Sequence, residues 1–143
     1  QGDIRFVSYE SVSGKIFGAT ANSPNAKWYV HERTGTVTDQ WTGTVIPTPT
    51  SFGTFQTASW GDMDGDGTLD VVVSASGATG SLSGVIWLKG PGFTQRGEVS
   101  GPGGGEKWDN TILTDVDGDG DLDIVSTEQN TGLGLVWFEN ARL

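Results

Sequence analysis

Asp115-Val-Asp-Gly-Asp-Gly-Asp-Leu-Asp123 and its upstream near copy, Asp62-Met-Asp-Gly-Asp-Gly-Thr-Leu-Asp70, decide how this chain is read. In both, acidic side chains stand at positions one, three, five and nine. Alternate spacing on a tight loop aims several carboxylates at one centre. Four anions held that close repel one another unless a cation sits between them. An all-oxygen donor set of flexible geometry suits calcium, which takes 6–8 oxygens. The expected ligands are Asp62, Asp64, Asp66 and Asp70, then Asp115, Asp117, Asp119 and Asp123. Backbone carbonyls at position seven, from Thr68 and Asp121, would complete two calcium sites. Gly65, Gly67, Gly118 and Gly120 supply the backbone freedom such a loop demands.

The flanks separate this loop from an EF-hand, which needs a carboxylate at position twelve and a helix on each side. Position twelve is Val73 in one loop and Ser126 in the other. The runs that follow, Leu69–Ala75 and Leu122–Thr127, are short and β-branched, which reads as strand. Each loop is therefore expected to join two strands.

A length of 143 residues suits one domain. The 23 glycines and six tryptophans fit an all-β protein of short strands and tight turns. Cysteine is absent, which excludes disulfides and thiol chemistry. The net charge is −10, and nine of the 18 acidic residues lie in the two loops. Two calcium ions would therefore offset much of the acidity. No basic footprint for nucleic acid is present, and no apolar run is long enough to span a membrane. The chain begins at Gln1 without a visible secretory signal, as a processed or excised chain would. Loops that fill at extracellular calcium levels place it outside the cell.

The loops lie 53 residues apart and share their surroundings. A strand follows each loop, then a Gly-rich turn, then Gly84-Val-Ile-Trp-Leu-Lys89 or Gly134-Leu-Val-Trp-Phe-Glu139. Upstream, Ala26–His31 aligns with these Trp strands, so Trp28, Trp87 and Trp137 share one repeat position. Asp3–Tyr9 aligns with the strand after a loop, which makes Asp3 the ninth position of a truncated calcium loop. Thr54–Trp60 and Asn110–Thr114 lead into the two loops. Trp41–Ile46 and Phe93–Val99 form fourth, outermost strands, and residues 10–25 and 32–53 hold irregular insertions. Pro47, Pro49 and the Gly101–Gly105 run punctuate the links. Four short strands per ~50 residues is the unit of a β-propeller blade.

These residues resemble the FG-GAP/VCBS repeat family, the calcium-loop β-propellers related to the head of integrin α chains. Asp62–Asp70 with Val71–Val73, Asp115–Asp123 with Ile124 and Val125, and the two Trp strands carry the likeness. It implies an all-β fold of four-stranded antiparallel blades with Asp-rich calcium loops. About two and a half blades are expected, as one propeller segment over 1–143 (roughly 1–50, 51–104 and 105–143). A family propeller closes with more blades. An open fan exposes edge strands and an apolar face, so the missing blades are expected on a longer chain, a partner chain or further copies of this one.

Chemistry beyond calcium is sparse. His31, the only histidine, shares a strand face with Tyr29 and Arg33, a set a polysaccharide lyase could use. A single His supports no Ser-His-Asp triad. Nothing in the spacing of Glu10, Glu32, Glu98, Glu106, Glu128 or Glu139 selects a glycosidase pair. No catalytic residue is assigned, and the balance favours a binding protein over an enzyme. Trp41 and Trp108 fall outside the repeat phase and are candidate platforms for a sugar ring, with His31 beside them. The expected function is a secreted, calcium-binding module for glycan or polysaccharide. Part of a lyase or hydrolase propeller and a protein-binding adhesion platform are the alternatives.

Overall fold

The computed structural model describes residues 4–20, 27–32 and 42–141. Every regular element among them is a β-strand. The first antiparallel sheet runs in the order β1 (Ile4–Tyr9), β2 (Ile16–Thr20), β3 (Trp28–Glu32), β4 (Thr42–Ile46). The second comprises β5 (Thr54–Gly61), β6 (Asp70–Ser76), β8 (Val85–Lys89) and β9 (Gln95–Glu98), in that order. The third holds β11 (Trp108–Thr114), β12 (Asp123–Glu128) and β13 (Gly134–Phe138). A short β7 (Thr79–Ser83), inserted between β6 and β8, pairs with β10 (Pro102–Gly104) on the way to the third sheet. The glycine-rich run read as a mere link thus contributes a strand.

The leading strands of the three sheets lie side by side, β1 against β5 and β5 against β11. Ser59 on β5 donates its hydroxyl to the carbonyl of Thr111 on β11 at 2.6 Å, and the Trp60 indole reaches the carbonyl of Ser8 on β1 at 3.4 Å. Three sheets radiating from adjacent first strands are propeller blades, and among the described residues they do not close into a ring.

Alternation along β6 explains the stacking. Val71, Val73 and Ala75 point to one face and enter a cluster with Phe17, Trp28, Phe52 and Phe55. Val72 points to the other face and packs with Val85, Trp108 and Ile124. The second blade is therefore buried on both faces, each Val contributing about 1.5–3 kcal/mol. Phe17 stacks on Phe55 at 5.6 Å, and Trp28 meets Phe52 edge-on at 5.1 Å.

The first blade departs from expectation. Ile4–Tyr9 is the first strand of its sheet, and the second is β2, within a stretch read as irregular. The turn between them, Glu10–Lys15, carries one acid in place of an Asp loop. The Glu10 carboxylate accepts the N–H groups of Val12 and Ser13 at 2.8 and 2.5 Å and closes the turn without a cation. Asp3 itself lies outside the described residues, but the strand after it is not the one that follows a loop. The blade with three strands is the third. Short β-branched content marks a strand but not its rank within a sheet, which is why the alignment slipped by one strand.

Candidate metal centres

Each acidic loop joins the first two strands of a blade, β5 to β6 and β11 to β12. Positive φ angles at Gly65 (73°), Gly67 (84°), Gly118 (83°) and Gly120 (94°) turn successive N–H groups inward. The first Asp gathers them. Asp62 accepts from Gly65 (2.8 Å), Asp66 (3.1 Å) and Gly67 (2.9 Å), and Asp115 from Gly118 (2.7 Å) and Gly120 (3.1 Å). Position three accepts from position five, and position five from position seven, in both loops.

The ninth Asp is buried and works as a strut. Asp70 accepts from Met63 (2.9 Å) in its own loop and from Gly90 (2.7 Å) just past β8. Asp123 accepts from Val116 (3.0 Å) and from Asn140 (2.9 Å) just past β13. The Asn140 N–H foremost, against a burial that pushes the other way, holds the Asp123 carboxyl below the usual carboxylate range, with Val116 and the Trp137 indole adding to it.

Positions one, three and nine converge. One carboxylate oxygen from each of Asp62, Asp64 and Asp70 lies within 4.8 Å of the others, and Asp115, Asp117 and Asp123 do the same. Three hard anionic oxygens so grouped fit calcium, with room for further oxygen ligands. Position five stands apart from both clusters. Asp66 takes the Lys89 ammonium at 2.8 Å, and Lys89 also pairs with Asp64. That ammonium first, then the Thr68 N–H, lowers the Asp66 carboxyl, while the two carboxylates raise Lys89. In the second loop the Asp121 N–H lowers Asp119, but desolvation and the charges of Asp117, Asp121 and Asp115 outweigh it and push the group up.

The candidate sugar contacts fare differently. Trp108 is only 3% exposed, wedged between the second and third blades against Phe138 at 5.5 Å. Its ring is a packing element with no face open to a ligand. Trp41 and Arg33 lie outside the described residues. His31 sits 5.8 Å from Tyr29 on the third strand of the first blade. Its ring nitrogens are buried without a hydrogen-bond partner, and burial lowers its pKa.

Sequence reasoning missed a cleft of about 490 Å³ between the second and third blades. Met63, Trp87 and Phe138 form apolar walls, and the acidic residues Asp64, Glu98 and Glu139 also line it. It also missed Glu128, whose buried carboxylate accepts the N–H groups of Lys107, Asn130, Thr131 and Leu133. Aligning the two Trp strands would have set Lys89 against Glu139; no local pattern marks Glu128.

An FG-GAP-like repeat model matches residues 16–73, and an FG-GAP repeat model matches residues 55–100. The matches run through the first acidic loop and end before the second. No curated protein and no solved structure matches the chain. Repeats of this kind are protein-interaction modules, typically extracellular, and often bind calcium. With three stacked antiparallel blades and matches that together span residues 16–100, this chain belongs to the FG-GAP repeat family.

Proposed function

We propose that this chain is a calcium-stabilised extracellular binding module that takes a carbohydrate in the cleft between its second and third blades. The observation that carries the ligand is the wall at Trp87. Its indole N–H is buried without a hydrogen-bond partner, in a cleft that also holds Asp64, Glu98 and Glu139. A sugar ring offers an apolar C–H face to an indole and hydroxyls to carboxylates, and that pairing matches the lining. The carboxylate clusters at positions one, three and nine support calcium in both loops, with Asp66, Asp119 and the carbonyls of Thr68 and Asp121 as further oxygen donors. Calcium would pin the first two strands of each blade, and removing it would loosen the cleft floor.

A glycan array probed with the calcium-loaded chain, with and without chelator, tests this. Binding inhibited by free sugar and lost in Glu139→Gln is expected. A blank array from folded protein would sink the carbohydrate reading. A protein ligand is the second reading, favoured by the exposed far face of the third blade, where Ile112, Leu135 and Trp137 are 53%, 73% and 45% exposed. Capture of a protein partner indifferent to free sugar would establish it. Release of shortened products from a polymer would instead mark a lyase or hydrolase.

A further inference from the structure

Among the described residues the third blade is one strand short of the other two. β4 and β9 are the outermost strands of the first and second blades, whereas β13 is paired on one side only, with β12. In each complete blade a glycine of the outer strand lies opposite an aromatic ring of the third strand: Gly43 opposite His31, and Gly97 opposite Trp87. The rings lie across these glycines. A Cβ on Gly43 would come within 2.5 Å of the His31 ring, and one on Gly97 within 2.7 Å of the Trp87 ring. A ring laid over a glycine of the neighbouring strand covers backbone that has no side chain of its own. Val72 pairs with Trp87 and Val125 with Trp137, so Trp137 holds the position of Trp87 in the third blade. Among the described residues no outer strand lies beside it; it is 45% exposed, and Leu135, two residues earlier, is 73% exposed.

We propose that the open edge of β13 is a strand-addition site: it takes an extended, antiparallel peptide segment of a protein partner, with a glycine opposite Trp137 and no net negative charge. The inference deepens the protein-ligand reading above and rests on it, and it makes no use of the cleft. An edge strand presents a row of N–H and C=O groups with which a peptide backbone pairs. That pairing is blind to sequence, and the ring supplies the selection. Lying across the added strand as Trp87 lies across Gly97, the Trp137 ring leaves room for a glycine and collides with a Cβ. Charge narrows the partner further. At a net charge of −10 the chain repels an acidic segment and draws a neutral or basic one. β9 itself answers to this description: Gln95–Glu98 carries Gly97 between Arg96 and Glu98, whose charges pair at 2.7 Å.

The test is an NMR titration of the full chain with an end-blocked synthetic peptide copying residues 93–99, the segment that carries β9. Saturable shifts confined to β12 and β13 are expected. Gly97→Val in the peptide should weaken binding by about tenfold or more, and Trp137→Ala in the chain should erase that difference between the two peptides. Arg96→Glu in the peptide should weaken binding at low salt. N-methylating alternate peptide residues should abolish binding for one set and spare the other, since only every second N–H of an added strand faces its neighbour. This last arm leaves the chain itself unaltered. Equal binding of the glycine and valine peptides, or of both N-methylated sets, would overturn the inference, and so would shifts at β8, which mean exchange with β9. Self-association of the chain that Trp137→Ala abolishes would overturn the peptide partner in favour of a second copy. No peptide binding, with a protein partner still captured on the same face, would overturn strand addition and leave the protein-ligand reading standing. No peptide binding and no captured partner would overturn both.

Discussion

Asn140 donates its side-chain amide to the carbonyl of Met63, 2.8 Å away and 77 residues earlier in the chain. The same amide donates to the carbonyl of Leu122 at 3.0 Å. One residue beyond the last strand thus ties the acidic loop of the second blade to that of the third. Asn140→Ala leaves both carbonyls without this donor. The expected loss is about 1–3 kcal/mol, read as a lowered midpoint in thermal unfolding. An unchanged midpoint would mean that water replaces the amide and that the tie contributes nothing.

Trp28 and Trp137 both occupy third strands, but among the described residues only Trp28 is covered by a following blade. Trp28 is 1% exposed against Phe17 and Phe52, whereas Trp137 is 45% exposed. Trp28→Ala should cost about 3–5 kcal/mol. Trp137→Ala should cost clearly less, since much of its ring is already in water. Urea midpoints of the two variants compare them directly. Equal losses would show that the far face of the third blade is covered in solution.

Glu128 makes stability depend on acid. Burial pushes its carboxyl up, but the Thr131 N–H and hydroxyl and the N–H groups of Lys107 and Leu133 outweigh burial and bring it down to about 2. A carboxyl lower in the folded than in the unfolded chain favours folding above its unfolded value, near 4.5. That contribution fades as pH falls from there through about 2. Unfolding midpoints of the metal-stripped protein taken across this range should drop more for the natural chain than for Glu128→Gln, the loop carboxylates titrating alike in both. Parallel curves would remove Glu128 from the account.

Gly84, between β7 and β8, is packed against the Trp108 indole, so a Cβ there would collide with the ring. Its φ is unexceptional, and the restriction is one of space alone. Gly84→Ala should cost about 1–3 kcal/mol through overpacking. Tryptophan fluorescence should report a displaced ring. A variant as stable as the natural chain would mean that the second and third blades can slide apart to admit a methyl.

The acidic loops were legible because everything that shapes them lies within nine residues: acids at odd positions, glycines where the chain must turn with positive φ, and β-branched runs after them. The repeat phase of Trp87 and Trp137 was legible for the same reason, and their paired registers with Val72 and Val125 bear it out. The first blade was misread because its β1–β2 turn replaces the acidic loop with a single Glu10, so the landmark that ranks the strands is missing. Trp108 was misjudged because exposure is not written in a residue's own neighbourhood.

The sequence alone therefore determined the strands, the loops and the kind of blade they build, all of them products of local periodicity and turn chemistry. Tertiary structure decided the rest. It set Lys89, 25 residues from Asp64, into the first loop. It buried Trp28 and exposed Trp137, and it opened a cleft at Trp87. Each of these depends on which sheet stacks on which face, a relation between residues far apart in the chain that no single stretch encodes.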